Sequence, residues 1–469
     1  MSWEKAGRWV PTRAAMVKMV ILNIDLEEGI MGGICMFRAR RVKEPLALFV
    51  LCNLMIMNCF SEPSRVSLRQ NTQGAWELVR NGETMRVLGV GGTKFLPLAK
   101  EMGANSVRVW DTKQLLEKYD DGKTVLAEIE ELGLTFCAGI WVEHERHGFS
   151  YLDPAQLQKQ RDRVRAAVRL YKDHPNLLVW GLGNEMEIFP GKPEAVRVWR
   201  EMEELAKIVK EEDPHHPVMT AIAGADVRKI REVMEHYPSV DILGINAYSG
   251  AGGAGRTLQS LGWKKPFLLT EYGTSGHWEV PKTPWGAPIE PTANEKAIQY
   301  FATLQSIMEN AEGLCLGSYA FLWGSKQETT STWYGMLLPD GEKLPSVDAM
   351  VRAWTGKWPK NRSPRIESLQ FENSVNRAKA GTRLKASAVI SDRNGDGMTC
   401  EWTVVAESKD IRHGGDAESV PPSFPEAVQS DAGPECQVTF PAKGAYRLFL
   451  VVRDGKGGAS TANLPFLSE

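Results

Sequence analysis

Two glutamates occupy positions in the sequence where paired carboxyl chemistry is possible. Glu185 ends the apolar run Trp180–Glu185 (WGLGNE), and Glu271 lies near the end of the run Pro266–Gly273 (PFLLTEYG). Hydrolysis of a glycosidic bond with retention of configuration needs two carboxyls about 5–5.5 Å apart, one as nucleophile and one as acid/base. Two strand ends that face each other across a binding site can supply such a pair. The alternative interpretation is that each glutamate is a structural ion-pair partner.

Other polar and aromatic residues at the ends of apolar runs are candidates for binding a substrate. These candidates are Arg108, His144, Asn184, Tyr248 and Trp323. The sequence between His144 and His147 is His-Glu-Arg-His, which differs from the His-Glu-Xaa-Xaa-His spacing that places two imidazoles on one helical face. A metal site there is the less favoured interpretation, and we predict neither a metal nor a cofactor.

These residues must be positioned by the elements that precede them. From Met85 onward, short β-branched runs alternate with amphipathic stretches, and this alternation repeats eight times. The predicted strands are Met85–Val90, Ser106–Trp110, Thr135–Val142, Leu177–Asn184, Pro217–Ala223, Asp241–Ala247, Phe267–Glu271 and Leu314–Trp323. The clearest helical stretches are Phe95–Met102, Gln156–Tyr171, Glu194–Glu211 and Asn294–Glu309.

Eight such units predict an α/β fold of the (β/α)8, or TIM, barrel type over residues 63–357. In these barrels the active site lies at the C-terminal ends of the strands, where both glutamates are expected. A doubly wound open sheet is the alternative. It is less favoured because the segment Gly89–Gly92 has the wrong spacing for a dinucleotide-binding loop.

The pattern changes after a polar, proline-bounded linker at Lys360–Pro364. Residues 365–469 carry short alternating runs separated by turn clusters, which predict an immunoglobulin-like or PKD-like β-sandwich. The runs are Leu384–Ile390, Thr399–Val405, Cys436–Phe440 and Tyr446–Val452. We expect this module to support the barrel, or to extend its substrate surface, without supplying a catalytic residue. The turn at Asp392–Gly397 imitates the start of a calcium loop, but Thr403 occupies the position where such a loop has glutamate.

Residues 1–62 are interpreted as a leader. A basic stretch, Arg38–Lys43, precedes an apolar run from Leu46 to Phe60, which is short for a spanning helix and typical of a signal-peptide core. We therefore expect an exported protein, secreted, periplasmic or at the cell surface, with a membrane anchor as the alternative and lipid attachment at Cys59 less favoured. Cys400 and Cys436 could then form a disulfide. The net charge of −2 gives no attraction to nucleic acid.

The barrel motifs resemble the catalytic domain of glycoside hydrolase family 2, and more broadly the clan of retaining hydrolases with glutamates on strands 4 and 7. The segments that carry the resemblance are WGLGNE at Trp180–Glu185, ILGINAY at Ile242–Tyr248 and PFLLTEYG at Pro266–Gly273. The resemblance implies that Glu185 is the acid/base and Glu271 the nucleophile. The Asn-Xaa-Tyr and Glu-Tyr-Gly motifs also look like those of fungal β-1,3-glucanosyltransferases.

The same resemblance implies roles for the other candidates. Asn184 would bond the sugar 2-hydroxyl, Tyr248 would hold the nucleophile, and Arg108 would stabilise its charge. Trp323 would form the floor of the sugar site, and His144 would line the site near the acid/base.

The predicted function is therefore hydrolysis of a β-linked oligosaccharide or polysaccharide by double displacement. A barrel followed by one sandwich is also the layout of endo-acting β-glucanases. The first alternative is a transglycosylase, in which loops Thr274–Pro291 and Ser325–Lys343 shield the intermediate and Trp278, Trp285 and Trp333 form acceptor subsites. The second alternative is a non-catalytic carbohydrate-binding protein.

Overall fold

The computed structural model describes residues 27–31, 34–38, 62–187, 192–309, 312–412 and 414–469. The chain divides into two compact units, Met1–Pro63 and Ser64–Glu469. In the first unit, strands Glu27–Met31 and Ile34–Arg38 form an antiparallel pair. The apolar run Leu46–Phe60 and Cys59 lie outside the described residues. Among the residues that are described, no helix is long and apolar enough to cross a bilayer.

The second unit contains a closed barrel of eight parallel strands, which confirms the predicted (β/α)8 fold and excludes the open-sheet alternative. Neighbouring strands follow chain order around the barrel, and the last pairs with the first. Strands 1 to 8 are Val87–Gly91, Ser106–Arg108, Thr135–Ile140, Leu177–Asn184, Val218–Ala223, Ile242–Asn246, Phe267–Tyr272 and Cys315–Ala320.

Helices cover the outside of the barrel, each with an apolar face against the strands. Several begin where a side chain caps free backbone N–H groups: Asp153 before Pro154–Tyr171, Asp226 before Val227–His236 and Thr124 before Val125–Glu131. The remaining helices are Leu96–Glu101, Pro193–Glu212, Ala254–Ser260, Ala293–Glu309 and Pro345–Thr355.

A three-stranded antiparallel sheet, which the sequence patterns did not predict, closes the end of the barrel opposite the glutamates. Its strands are Val66–Gln70, Trp76–Arg80 and Glu83–Met85. Val66 N donates to His215 O at 2.9 Å, and Trp76 N donates to Gly313 O at 2.8 Å. Both carbonyls lie in loops that lead into barrel strands, so the sheet seals the N-terminal ends of the strands.

The C-terminal module is a sandwich of two four-stranded sheets that share one apolar core. One sheet contains Arg365–Phe371, Arg383–Ser391, Glu435–Thr439 and Val428–Gln429, and the other contains Arg377–Ala378, Ala459–Ser468, Gly444–Arg453 and Thr399–Ala406. All four predicted runs are strands. Cys400 and Cys436 are buried free thiols in opposite sheets, and Trp402 lies in the core.

The sandwich docks on the barrel through backbone and buried polar contacts. Lys343 N donates to Gly457 O at 3.0 Å, and Asn463 Nδ2 donates to Glu290 Oε2 at 2.7 Å. Arg447 Nη2 reaches Pro288 O at 3.0 Å. Because these groups are buried, separating the two domains would leave them without partners, at a cost of about 1–3 kcal/mol each.

Candidate active site

A cavity of about 1020 Å³ opens at the C-terminal ends of the barrel strands. Of the predicted site residues, four line it: Asn184, Glu185, Tyr248 and Glu271. Arg108 lies beneath this surface and contacts the same group. The barrel therefore brings together side chains from strands 2, 4, 6 and 7 that are far apart in sequence.

Glu271 is the more tightly held of the two carboxylates. Its Oε1 accepts hydrogen bonds from Arg108 Nη1 at 2.8 Å and from Trp110 Nε1 at 2.9 Å, and its Oε2 accepts one from Tyr248 Oη at 3.2 Å. The ion pair with Arg108 is almost fully buried. Three donors and a full positive charge stabilise the ionised carboxylate and fix its orientation.

Two asparagines connect the carboxyl groups. Asn184 Oδ1 accepts from Arg108 Nη2 at 2.7 Å and from Asn246 Nδ2 at 3.1 Å, and the same Asn246 nitrogen donates to Glu185 Oε1 at 2.9 Å. Thr270 holds Asn246 in this orientation by donating to its Oδ1 at 2.7 Å. Since Oδ1 of Asn184 is occupied by two donors, its Nδ2 is the atom that can donate to a substrate hydroxyl.

Glu185 has the opposite electrostatic environment from Glu271. It follows the last residue of strand 4 with a left-handed backbone (φ 51°), and its own N–H donates to Ala221 O at 2.8 Å. Burial, followed by the negative charges of Glu271 and Glu187, raises the pKa of Glu185 to about 7. The hydrogen bond from Asn246 opposes this shift without cancelling it. Glu185 is thus a carboxyl that carries a proton near neutral pH.

Glu187 lies two residues beyond Glu185 and does not line the cavity. Its buried carboxylate accepts from the backbone N–H of Ala223 and from Lys229 Nζ, the latter at 3.2 Å. These partners hold the Glu187 carboxylate outside the cavity wall.

His144 is buried behind the cavity wall rather than in it. Its ring packs on Trp141, with centroids 5.3 Å apart, and Trp141 is the residue that lines the cavity. Nδ1 of His144 lies 3.3 Å from Arg146 Nη1. Burial and the charge of Arg146 lower the pKa of His144 to about 4. The predicted direct contribution of His144 to the cavity wall is therefore not found in this structure.

Trp323 also differs from the prediction. The tryptophan is 2% exposed and belongs to the barrel core, whereas Phe321 and Leu322 line the cavity. Strand 8 ends at Ala320, and Trp323 N then donates to Gly91 O at 2.8 Å. The indole points inward, and its Nε1 lies 3.4 Å from Phe95 O. Trp323 is thus not the floor of the cavity.

The three loop tryptophans that were candidates for acceptor subsites have different environments in the structure, and one of them lines the cavity. Trp278 lines the cavity and is 57% exposed, so its ring is available for stacking. Trp333 is fully buried, with Nε1 bonded to Ser275 O at 3.0 Å. Trp285 is partly buried and is not part of the cavity wall.

Several cavity residues were not predicted to have a role. Trp110 and Asn246 lie at or near the ends of the predicted strands Ser106–Trp110 and Asp241–Ala247, and this position is their only sequence signal. Four further cavity residues come from the sandwich, and no sequence pattern places them near the barrel: Arg412, Gly414, Gly415 and Asp416.

A closed (β/α)8 barrel with glutamates at the ends of strands 4 and 7 is the arrangement of the retaining glycoside hydrolase clan. Residues 93–278 match the family described as "Glycosyl hydrolases family 2, TIM barrel domain". This match contains both glutamates and confirms the resemblance to the family 2 catalytic domain. No curated protein matches the chain with statistical significance.

Three solved structures illustrate what the chain is similar to. A Bacteroides uniformis β-glucuronidase is 16% identical, with a TM-score of 0.46, and the match covers 86% of this chain and 48% of that one. A Bifidobacterium dentium β-glucuronidase complexed with coumarin-3-O-glucuronide is 15% identical, with a TM-score of 0.47, and coverage of 69% and 51%. A Ruminococcus gnavus β-glucuronidase is 15% identical, with a TM-score of 0.44, and the match covers 63% of this chain and 53% of that one. The chain spans about half the length of these proteins.

Proposed function

We propose that this protein is a retaining β-glycoside hydrolase in which Glu271 is the nucleophile and Glu185 the acid/base. The observation that carries the proposal is the opposite environment of the two carboxyls. Arg108, Trp110 and Tyr248 stabilise a charged Glu271, while burial keeps a proton on Glu185 near neutral pH. Two carboxyls with such different environments are the usual basis for assigning acid and base roles.

The proposed reaction has two steps. Glu271 attacks the anomeric carbon while Glu185 gives its proton to the leaving oxygen, which forms a covalent glycosyl-enzyme. Glu185, now ionised, then removes a proton from water as the water attacks the same carbon, and Glu271 leaves. Asn184 Nδ2 is placed to donate to the sugar hydroxyl next to the anomeric carbon. In the second step a sugar hydroxyl in place of water would give transglycosylation, and exposed Trp278 favours this as the second candidate activity.

Nucleophile rescue tests both assignments. Replacing either glutamate by alanine should abolish hydrolysis of an aryl β-glycoside, and azide should restore turnover. With Glu271→Ala, azide attacks the anomeric carbon directly, so the product is the α-glycosyl azide. With Glu185→Ala, azide attacks the glycosyl-enzyme, so the product is the β-glycosyl azide.

A matched control is Glu204→Gln, which changes an exposed carboxylate on an outer helix. This control should retain wild-type rates. Unchanged turnover in both active-site variants, or an inverted product from the wild type, would refute the proposal. Tight glycan binding with no turnover of any substrate would instead support the non-catalytic alternative.

The substrate proposal is a β-linked oligosaccharide or polysaccharide, with endo-acting β-glucan hydrolysis as the finer hypothesis. The panel should contain glucans, galactans, mannans and xylans. It should also contain an aryl β-glucuronide, because the similar solved structures are named β-glucuronidases. Release of mixed oligomers from a β-glucan would support the endo-glucanase hypothesis, and lengthened products would identify a transglycosylase.

We also propose that residues 1–62 direct export of the protein. The basic stretch and the apolar run in this segment support the proposal. Fractionation of cells that express the full chain, with the N-terminus of the mature protein sequenced, provides the test. A protein found uncleaved in the cytosol would contradict it.

A further inference from the structure

A loop of the C-terminal sandwich forms part of the cavity wall. We call residues 410–412 and 414–418 the sandwich loop; it follows strand Thr399–Ala406. Its residues Arg412, Gly414, Gly415 and Asp416 line the cavity together with the barrel residues. The wall is thus built from two domains.

The sandwich loop contacts two separate loops of the barrel. Toward the loop after strand 3, Asp416 lies 3.5 Å from Arg146 Nη2 and 3.3 Å from His147 Nε2. Toward the loop after strand 8, Gly415 O accepts from Lys326 Nζ at 2.7 Å, and Glu418 accepts from Thr329 N at 2.6 Å. Contacts of Gly415, Asp416 and Glu418 with both barrel loops hold this part of the sandwich loop at the barrel mouth.

The backbone of the sandwich loop is adapted to this close approach. Gly414 and Gly415 both have left-handed backbones, with φ of 62° and 74°. A Cβ atom on Gly414 would lie 2.9 Å from Arg146 Nη2, so the end of that long side chain would have to shift, and the left-handed backbone would itself be strained with any other residue. Glycine at position 414 therefore allows the loop to reach the barrel surface.

Arg412 is the cavity-lining residue of this loop with the largest hydrogen-bonding capacity. Its guanidinium pairs with Asp410, its backbone N–H donates to Glu418 at 3.1 Å, and its side chain is 57% exposed. Lys326, which also lines the cavity, pairs with Glu328 at 2.8 Å. Since both cations have carboxylate partners, this part of the wall does not favour an anion. It offers donors and acceptors suited to uncharged hydroxyls.

We propose that the sandwich loop forms a subsite for neutral sugar units beyond the cleaved bond, with Arg412 and Asp416 bonding their hydroxyls and the nearby Trp141 ring available for stacking. This inference rests on the proposed function and deepens it. The sandwich then sets affinity for longer glycans, while chemistry remains with the barrel.

The test compares a short with a long substrate in variants of the sandwich loop. The probes are an aryl β-monoglycoside and neutral hexasaccharides of the gluco, galacto, manno and xylo series. Arg412→Ala should raise KM for the cleaved hexasaccharide at least fivefold, with kcat and aryl glycoside turnover within twofold of wild type. Gly414→Val, which displaces the loop, should likewise raise KM for the hexasaccharide while leaving kcat and aryl glycoside turnover within twofold of wild type. The control Lys385→Ala changes a partly exposed sandwich residue that does not line the cavity, and it should retain the wild-type KM.

Calorimetry of hexasaccharide binding in the Glu271→Gln background separates the subsite from catalysis. Arg412→Ala should raise Kd at least fivefold in that background. An unchanged Kd and KM in a folded Arg412→Ala variant would overturn the subsite while leaving hydrolysis intact. If Arg412→Ala weakens hexasaccharide binding but the wild type turns over no substrate, the subsite would be supported and the hydrolase proposal overturned.

Discussion

Replacing Glu185 by glutamine should make the barrel more stable at alkaline pH than the wild type. Glutamine has nearly the shape of a protonated glutamate but cannot ionise. In the folded wild type, burial and the charge of Glu271 raise the pKa of Glu185 to about 7, against an ordinary value of 4.5. Ionising this group in the folded state therefore costs more than ionising it in the unfolded chain.

Linkage between proton binding and folding gives the direction and the size of the change in unfolding free energy with pH. Because the folded-state pKa is raised, the stability that this carboxyl contributes is fully present below about pH 4.5 and is lost as the pH rises through 7. Between pH 5 and pH 8, the unfolding free energy of the wild type should fall by about 2.5 kcal/mol through this group alone. The Glu185→Gln variant lacks this loss.

The assay is the difference in Tm between Glu185→Gln and wild type, measured from pH 5 to pH 8. Titrating groups that do not interact with Glu185 cancel in this difference, which should grow by a few degrees toward pH 8. Glu204→Gln, an exposed substitution, should give a difference that does not depend on pH. In the wild type, kcat/KM should also fall above about pH 7, because the acid must be protonated in the first step. A pH-independent difference for Glu185→Gln would refute the reasoning.

Three further predictions test other parts of the site and fold. Trp110→Phe keeps the ring but removes the donor to Glu271, so kcat/KM should fall roughly ten- to hundredfold in steady-state kinetics; a change within twofold would contradict this. Asn246→Ala removes the hydrogen bond that favours the ionised form of Glu185, so the alkaline limb of the pH–rate profile should move to higher pH; an unmoved limb would contradict it. Burial raises the pKa of the Cys436 thiol to about 12, so a thiol reagent at pH 8 should modify it only after unfolding; rapid native labelling would show that the sandwich core is open.

The barrel and its two glutamates could be predicted because their signals are local. Strand 4 was predicted over Leu177–Asn184, and the structure has those bounds. A buried parallel strand is a nearly continuous apolar run, and its C-terminal end is where polar residues begin. Since all eight strands of a barrel end at one face, the positions of Glu185 and Glu271 in their runs were sufficient to place them together.

The orientation of side chains just beyond a strand could not be predicted in the same way. Trp323 lies three residues past the end of strand 8, where alternation between the two faces of a strand no longer holds. Its backbone N–H bonds to Gly91 O and its indole lies near Phe95 O, and both partners are more than 200 residues away in the sequence. His144 also lies beyond its strand, directly before a short 3-10 helix, and the cavity wall there is formed by Trp141 instead.

The sandwich loop shows why domain assignment alone understates the role of the C-terminal module. The composition of the C-terminal module is that of a supporting domain. Truncation after Gly356 is the direct test of whether the module only stabilises the barrel. The structure predicts that truncation would also remove Asn463 and Arg447 from the buried Glu290, which destabilises the barrel. Loss of activity in a truncated protein would therefore not separate support from substrate binding. Substitutions of Arg412 distinguish support from substrate binding, because its exposed side chain lines the cavity and makes none of the domain contacts described above for Lys343, Asn463 and Arg447.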